Sequence, residues 1–379
     1  MQNSECTLFK ELAHIFSQRK KENQVIEFEI LEPAHALTLG PLVQDGWTVG
    51  ISKKALVQAF AIARPIFFEY LVSMTENDML LWSDRSIKEK AAAVVSEKGG
   101  NNVSEIAAGL DVPISVVTEI ILLFDCEYVT ACNWRKRRIM SFFRDSTNKD
   151  ATRTRVDEVI NMLETELTLM TTYTCSPLHR HTKSPTLWQH RLWVWVQWIE
   201  VNKRKNAKPL GLQDVQELLR AELKVVLRAG ELHPRNYYAF AYLRRLYIIL
   251  IDNGLCEKEK EKNSTTKLAR SMLNSTLDWC LSHPQDISGW SFTFWLLEAL
   301  TCNDQDIRIA SIERVVQFAL NVGWEGESLW TFVDLSTRAF GLVEIIQNDT
   351  LLGDPEEPSS RPWKTWLSRA KTYWGSNVK

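Results

Sequence analysis

The chain has 379 residues, 45% of them hydrophobic, enough to bury a substantial core in one large domain or two ordinary ones. Its formal charge of −2 gives no global pull toward nucleic acid or an acidic membrane. Seven cysteines, at 6, 126, 132, 175, 256, 280 and 302, form no Cys-x-x-Cys pair, which argues for free, mostly buried thiols in a reducing, cytoplasmic setting. The N-terminus lacks the basic and apolar regions of a secretory signal, and no run of eighteen apolar residues suggests a membrane span. The last four residues carry no prenylation cysteine.

In chain order, Leu8, Phe9, Leu12, Ile15 and Phe16 recur at helical spacing and predict an amphipathic helix over 4–20. Residues 25–31 alternate weakly and read as a strand or an extended arm. Pro33, Gly40, Pro41, Asp45-Gly46 and Gly50 predict a loop. Residues 53–74 are helical and strongly apolar, with Pro65 expected to kink or split the helix. A further helix is expected over 84–98, ended by Gly99-Gly100. Residues 104–124 have the outline of a helix-turn-helix. The second helix, from Ser115 to Phe124, has no Arg, Lys, Asn or Gln with which to reach base edges, so a buried hairpin is the better reading.

Beyond residue 120 the chain becomes regular. Helical stripes (Val156 to Met170, Val215 to Leu227, Ala269 to Trp279, Ile309 to Leu320) alternate with a recurring motif. Its clearest copies are Lys183-Ser184-Pro185-Thr186-Leu187-Trp188-Gln189-His190-Arg191, His233-Pro234-Arg235-Asn236-Tyr237-Tyr238-Ala239-Phe240 and His283-Pro284-Gln285-Asp286-Ile287-Ser288-Gly289-Trp290. Fainter copies lie around Cys132 and Trp330. The key positions Cys132, Trp188, Phe240, Trp290 and Trp330 are 56, 52, 50 and 40 residues apart, the period of helical hairpins lengthened by loops. Such units cannot bury a face alone, so an all-α fold is expected: an α-α superhelix of stacked hairpins. Polar inserts are expected over 145–153, 202–209 and 257–266. The expected organisation is an N-terminal helical extension over 1–118, a repeat solenoid over 119–347 and a tail over 348–379.

Trp188, Phe240, Trp290 and Trp330 start the apolar ridge of each second helix and are expected in the repeat core, where burying one ring contributes roughly 2–3 kcal/mol. The recurring polar residues at the same helix starts (Lys183, His190, Arg191, Arg235, Asn236) suggest a face for a partner or an anion. Cys175, His179, His181 and His190 match no common zinc spacing, so no metal site is expected on this chain. Arg135-Lys136-Arg137-Arg138 reads as a solvated or acid-paired extension of the first copy rather than a nuclear signal.

These motifs resemble the Pro-x-Asn-Tyr-x-x-Trp-x-x-Arg repeat of protein prenyltransferase α subunits, most closely the branch of prenyltransferase α-subunit repeat-containing proteins, over roughly residues 120–345. The resemblance implies a heterodimer in which a β subunit holds the zinc and the prenyl diphosphate, with no cofactor bound by this chain. It implies transfer of an isoprenoid, geranylgeranyl by branch, to a C-terminal cysteine of acceptor proteins. The family's catalytic lysine stands five residues before the second repeat's Trp, which is Lys183 here. By the same resemblance, Arg235, Asn236 and Tyr237, with His190 and Arg191, fall on the substrate or partner face. Departures are Cys132 and Phe240 for the repeat Trp, Pro185 for Tyr, and Leu243 for Arg with Arg244 one step late. The alternative is a non-catalytic helical-repeat adaptor. No nucleic acid partner is expected.

Overall fold

The computed structural model describes residues 2–73, 112–146, 153–206, 210–254 and 262–342. The helix expected over 84–98, the first half of the helix-turn-helix outline and the C-terminal arm lie outside these residues. Thirteen α-helices dominate the described residues, in agreement with an all-α helical-repeat fold. The chain divides into two compact units, Met1–Pro209 and Leu210–Lys379.

The first unit opens with α1 (Gln2–Glu22), which buries Phe9, Leu12, Ile15 and Phe16 as its spacing predicts. A three-stranded sheet follows, where the sequence suggested at most one strand. β1 (Glu27–Leu31) pairs in parallel with β3 (Thr48–Ser52), and β2 (Leu42–Asp45) pairs antiparallel on the other side of β3. The segment expected as a loop therefore holds a short helix, α2 (Pro33–Leu39), and a hairpin. Gly46-Trp47 is its turn: Gly46 has φ 57°, and two-residue hairpin loops need a positive φ that glycine adopts without strain.

α3 (Lys53–Ser73) runs through Pro65 as one helix instead of splitting. Proline removes one N–H, and burial of Ala63, Ile66 and Phe67 around it holds both halves together. This helix is long and apolar enough to cross a membrane by length and composition. Here Ala59, Ala63, Ile66 and Phe67 enter the core shared with α1, the sheet and α4 (Ile114–Phe124). α4 is buried along nearly its whole length, as the hairpin reading requires. The domain boundary expected at 118/119 falls within this helix.

Two hairpins complete the unit: α4 with α5 (Val129–Ser146), and α6 (Arg153–Thr174) with α7 (Pro185–Asn206). α7 continues through most of the insert expected at 202–209.

The second unit holds three hairpins. They are α8 (Leu212–Leu232) with α9 (Tyr237–Ile249, prolonged by a π turn over Leu250–Gly254), α10 (Lys262–Ser282) with α11 (Ile287–Glu298), and α12 (Gln305–Val322) with α13 (Glu327–Ala339). First helices stack on first helices (α8, α10, α12) and second on second (α9, α11, α13), so each hairpin buries the face its neighbour leaves open. Trp279 shows how closely they fit. Its indole lies between Gly230 and Gly289, and a Cβ at either glycine would come within 2.8 or 2.6 Å of the ring.

Candidate functional site

The second helices of the three central hairpins start by one local rule. The cap lies four residues before the repeat aromatic: Ser184, Asn236 and Asp286 accept from backbone N–H groups of the first turn of α7, α9 and α11. The aromatic then ties down the approaching loop. The indole Nε1 of Trp188, Trp290 and Trp330 donates to the carbonyl six residues earlier, of Thr182 (2.8 Å), Pro284 (3.0 Å) and Trp324 (2.9 Å). Trp188, Phe240, Trp290 and Trp330 are all buried, as expected of repeat-core residues. Phe240 lacks an N–H, so this tie is missing from its hairpin.

Caps also fasten one hairpin to the next. Ser184 Oγ donates to the Cys126 carbonyl (3.2 Å), and Asp286 accepts from the backbone N–H of Arg235 (2.7 Å). The second contact is made with Arg235 in the left-handed region at φ 61°.

Lys183 lies at the end of a single 3₁₀ turn, His181–Lys183, immediately before the cap of α7. One long-range bond and two local ones fix that turn. His181 Nε2 is 3.0 Å from the Leu122 carbonyl, the Ser184 N–H returns to the His181 carbonyl, and the Trp188 indole holds Thr182. His181 and Thr182 are buried, and burial lowers the His181 pKa to about 4, keeping the ring neutral. The Lys183 side chain is half-buried and makes no ion pair or hydrogen bond with another described residue. The turn thus presents an ammonium that no described residue pairs.

The remaining expected face residues divide. Arg235 and Tyr237 are exposed at the start of α9 in the second unit, Tyr237 by 55%. Asn236 is buried as the α9 cap. His190 and Arg191 turn inward instead of lining a face, because positions two and three after Trp188 on α7 point at α6. Arg191 Nη1 donates to the Leu167 carbonyl (2.9 Å) and to Thr171 Oγ1 (2.8 Å). His190 Nε2 meets Glu166 Oε1 at 2.8 Å.

Behind His190 lies a buried ionic network in which Arg135 is acid-paired, one of the two readings its basic run allowed. Arg135, three residues after Cys132 as Arg191 is three after Trp188, binds Glu166 through both arms, Nε to Oε1 at 2.7 Å and Nη2 to Oε2 at 2.6 Å. It also donates to the Ser115 carbonyl (2.8 Å) and Thr118 Oγ1 (2.9 Å), and reaches Glu119 at 3.3 Å. Arg19 of α1 reaches the same Glu119 oxygen at 3.5 Å. Burial alone would raise the Glu166 carboxyl. The Arg135 charge and the bonds from His190 and Arg135 outweigh it and hold the group well below the usual carboxylate range. Burial lowers the His190 pKa despite Glu166. Two arginines face two glutamates, so the network is compensated and does structural work. The equal spacing of the two arginines is a further signal for it. Leu243 takes this place in the third copy, and Arg244 instead bonds Ser291 Oγ at 3.0 Å over the rings of Phe292 and Trp295.

Three buried thiols are held in the protonated form. Burial pushes Cys126 up to about 11 and Cys132 and Cys280 up to about 12, and the described cysteines form no disulfide. Among the described residues no group of His, Cys, Asp and Glu could hold a metal ion.

Hairpins with a cap, an aromatic tie and a stacked neighbour define an α-α repeat protein. Comparison with known proteins gives this class a relation. The ECM9 middle domain profile matches residues 192–318, about a third of the chain. Protein prenyltransferase alpha subunit repeat-containing protein 1-B of Xenopus laevis is 26% identical over 164 residues, covering 40% of this chain and 35% of that protein. Protein prenyltransferase alpha subunit repeat-containing protein 1 of Homo sapiens is 26% identical over 129 residues (32% and 29%), and that of Danio rerio 29% over 135 residues (32% and 28%). The chain thus spans about a third of the length of the curated relatives it matches, and the resemblance read from its motifs agrees with their names.

Proposed function

We propose that this chain acts as the α subunit of a heterodimeric protein prenyltransferase. It would hold a β subunit that carries the zinc and the prenyl diphosphate, and would offer Lys183 to the diphosphate as it leaves. The observation that carries this reading is the ammonium that no described residue pairs, on a turn fixed by one long-range bond and two local ones. Negative charge grows on a departing diphosphate, and a preorganised cation stabilises that charge without reorganising during the reaction. The repeat relatives support the reading. Exposed Arg235 and Tyr237 are available for an acceptor protein or the β subunit, with geranylgeranyl the lipid that the branch resemblance favours.

A second reading, a helical-repeat adaptor without catalysis, is favoured by the burial of His190, Arg191 and Asn236 in structural bonds and by the loss of the repeat Trp at Cys132 and Phe240. The discriminating experiment reconstitutes the chain with candidate prenyltransferase β subunits and follows transfer of labelled geranylgeranyl from its diphosphate. Lys183→Ala is expected to leave assembly intact and slow transfer by about 10²–10³. Transfer at an unchanged rate by an intact Lys183→Ala complex refutes the role of Lys183. Failure to associate with any β subunit favours the adaptor.

A further inference from the structure

The three-stranded sheet of the first unit has two edges, and they are treated differently. The outer edge of β1 is covered by α6 and the segment after it: the Ile26 N–H donates to Thr172 Oγ1 (3.0 Å) and the Phe28 N–H to Ser176 Oγ (2.9 Å). The outer edge of β2 has no such cover among the described residues. Asp45 and Thr48 close the two-residue turn, so Asp45 and Val43 direct their backbone groups to β3, and the Ser52 N–H to Pro41 carbonyl bond continues that ladder. Leu42 and Gln44 consequently aim their N–H and C=O groups outward, and no described residue meets them.

An open groove of about 400 Å³ runs beside this edge, walled by β2 (Leu42, Gln44) and α1 (Lys10, Glu11, His14, Ile15). Leu37 and Leu39, on the helix leading into β2, are 88% and 61% exposed. Natural edges are normally blunted or covered, and this one combines backbone groups that no described residue meets with a second wall from α1.

We propose that this groove is a strand-addition site: an extended segment of a partner protein pairs with Leu42 and Gln44 as a fourth strand alongside α1. A strand is the chemistry that satisfies a row of outward N–H and C=O groups, and side chains of alternate residues then enter the groove. An apolar side chain fits over Ile15 and Leu42. Lys10 and His14, one helical turn apart, favour a carboxylate on the incoming strand, while Glu11 between them disfavours a long acidic run. A second copy of this chain fits less well. Pairing β2 with β2 sets Lys10 near its own kind instead of opposite a carboxylate.

The test uses the full chain and a synthetic eight-residue peptide of alternating valine and threonine with one central aspartate, capped at both ends. Amide hydrogen exchange is followed at Leu42, Val43 and Gln44. In the free chain the Leu42 and Gln44 amides should exchange much faster than that of Val43. The peptide should slow both by at least about tenfold. A copy of the peptide N-methylated at every second amide should bind at least about tenfold more weakly. Lys10→Glu should weaken the aspartate peptide and favour one with lysine in its place, while Gln44→Pro should abolish binding of both. The proposal is overturned by absence of slowing at millimolar peptide, or by equal binding of the N-methylated copy. It is also overturned if Leu42 and Gln44 are already protected in the free chain, which would mean another segment of the chain holds the edge. Light scattering that shows a dimer dispersed by Gln44→Pro would assign the edge to a second copy and overturn it as well.

Discussion

His181→Gln tests how the Lys183 turn is held. In the folded chain His181 is neutral, with Nε2–H donating to the Leu122 carbonyl at 3.0 Å, and its pKa is lowered to about 4 from an unfolded value of 6.5. Burial is the main cause, with Arg180 adding to it and Asp125 and the carbonyl bonds opposing it. A group with a folded pKa below its unfolded one contributes stability above the unfolded value and loses it as the pH falls. The window is therefore about pH 6.5 down to 4. Linkage gives a loss from this residue of about 2 kcal/mol between pH 7 and pH 5. Glutamine keeps an N–H donor near the same place and does not titrate. Urea unfolding of both proteins at pH 7 and pH 5, followed by tryptophan fluorescence, should show the parent losing about 2 kcal/mol more than the variant over that interval. Equal losses would refute the claim that a buried neutral imidazole holds this turn.

Other consequences follow from the same geometry. Trp290→Phe removes the tie to the Pro284 carbonyl and leaves a small void, and should lower the stability of the second unit by about 1–3 kcal/mol in denaturant titration. Glu166→Gln leaves buried Arg135 with Glu119 as its remaining acidic partner. It should cost about 3–5 kcal/mol in urea unfolding of the first unit, far more than the surface change Glu200→Gln beside exposed Arg204.

Most of the second unit could be read from the sequence because its determinants are local. Phe240, Leu243, Tyr247 and Leu250 share a face at helical spacing and are buried together. Asn236 and Asp286 start their helices by capping residues two or three positions ahead. Lys183 is singled out by the family resemblance, which places a lysine five residues before the second repeat's Trp, here Trp188. The ends of α7 and α10 were harder to place. Polar residues such as Lys203 and Lys262 suit a loop or a helix terminus equally well, and stacking decides between them.

The sequence by itself determined the helical period, the start of each repeat helix and the class of fold, since 3.6-residue spacing and capping act within one or two turns. Tertiary structure decided which polar residues would be buried and which edge covered. His190 and Arg191 follow a buried Trp on a helix whose sequence is polar enough to face water, and their fate was set by Glu166, Leu167 and Thr171 on the neighbouring helix. The small sheet was likewise settled at a distance. Its β1 edge is closed by hydroxyls of Thr172 and Ser176, 146 and 148 residues away from the amides they cap. A hydrogen bond across that separation leaves no periodic trace in the chain, because its geometry exists only after the helices have packed.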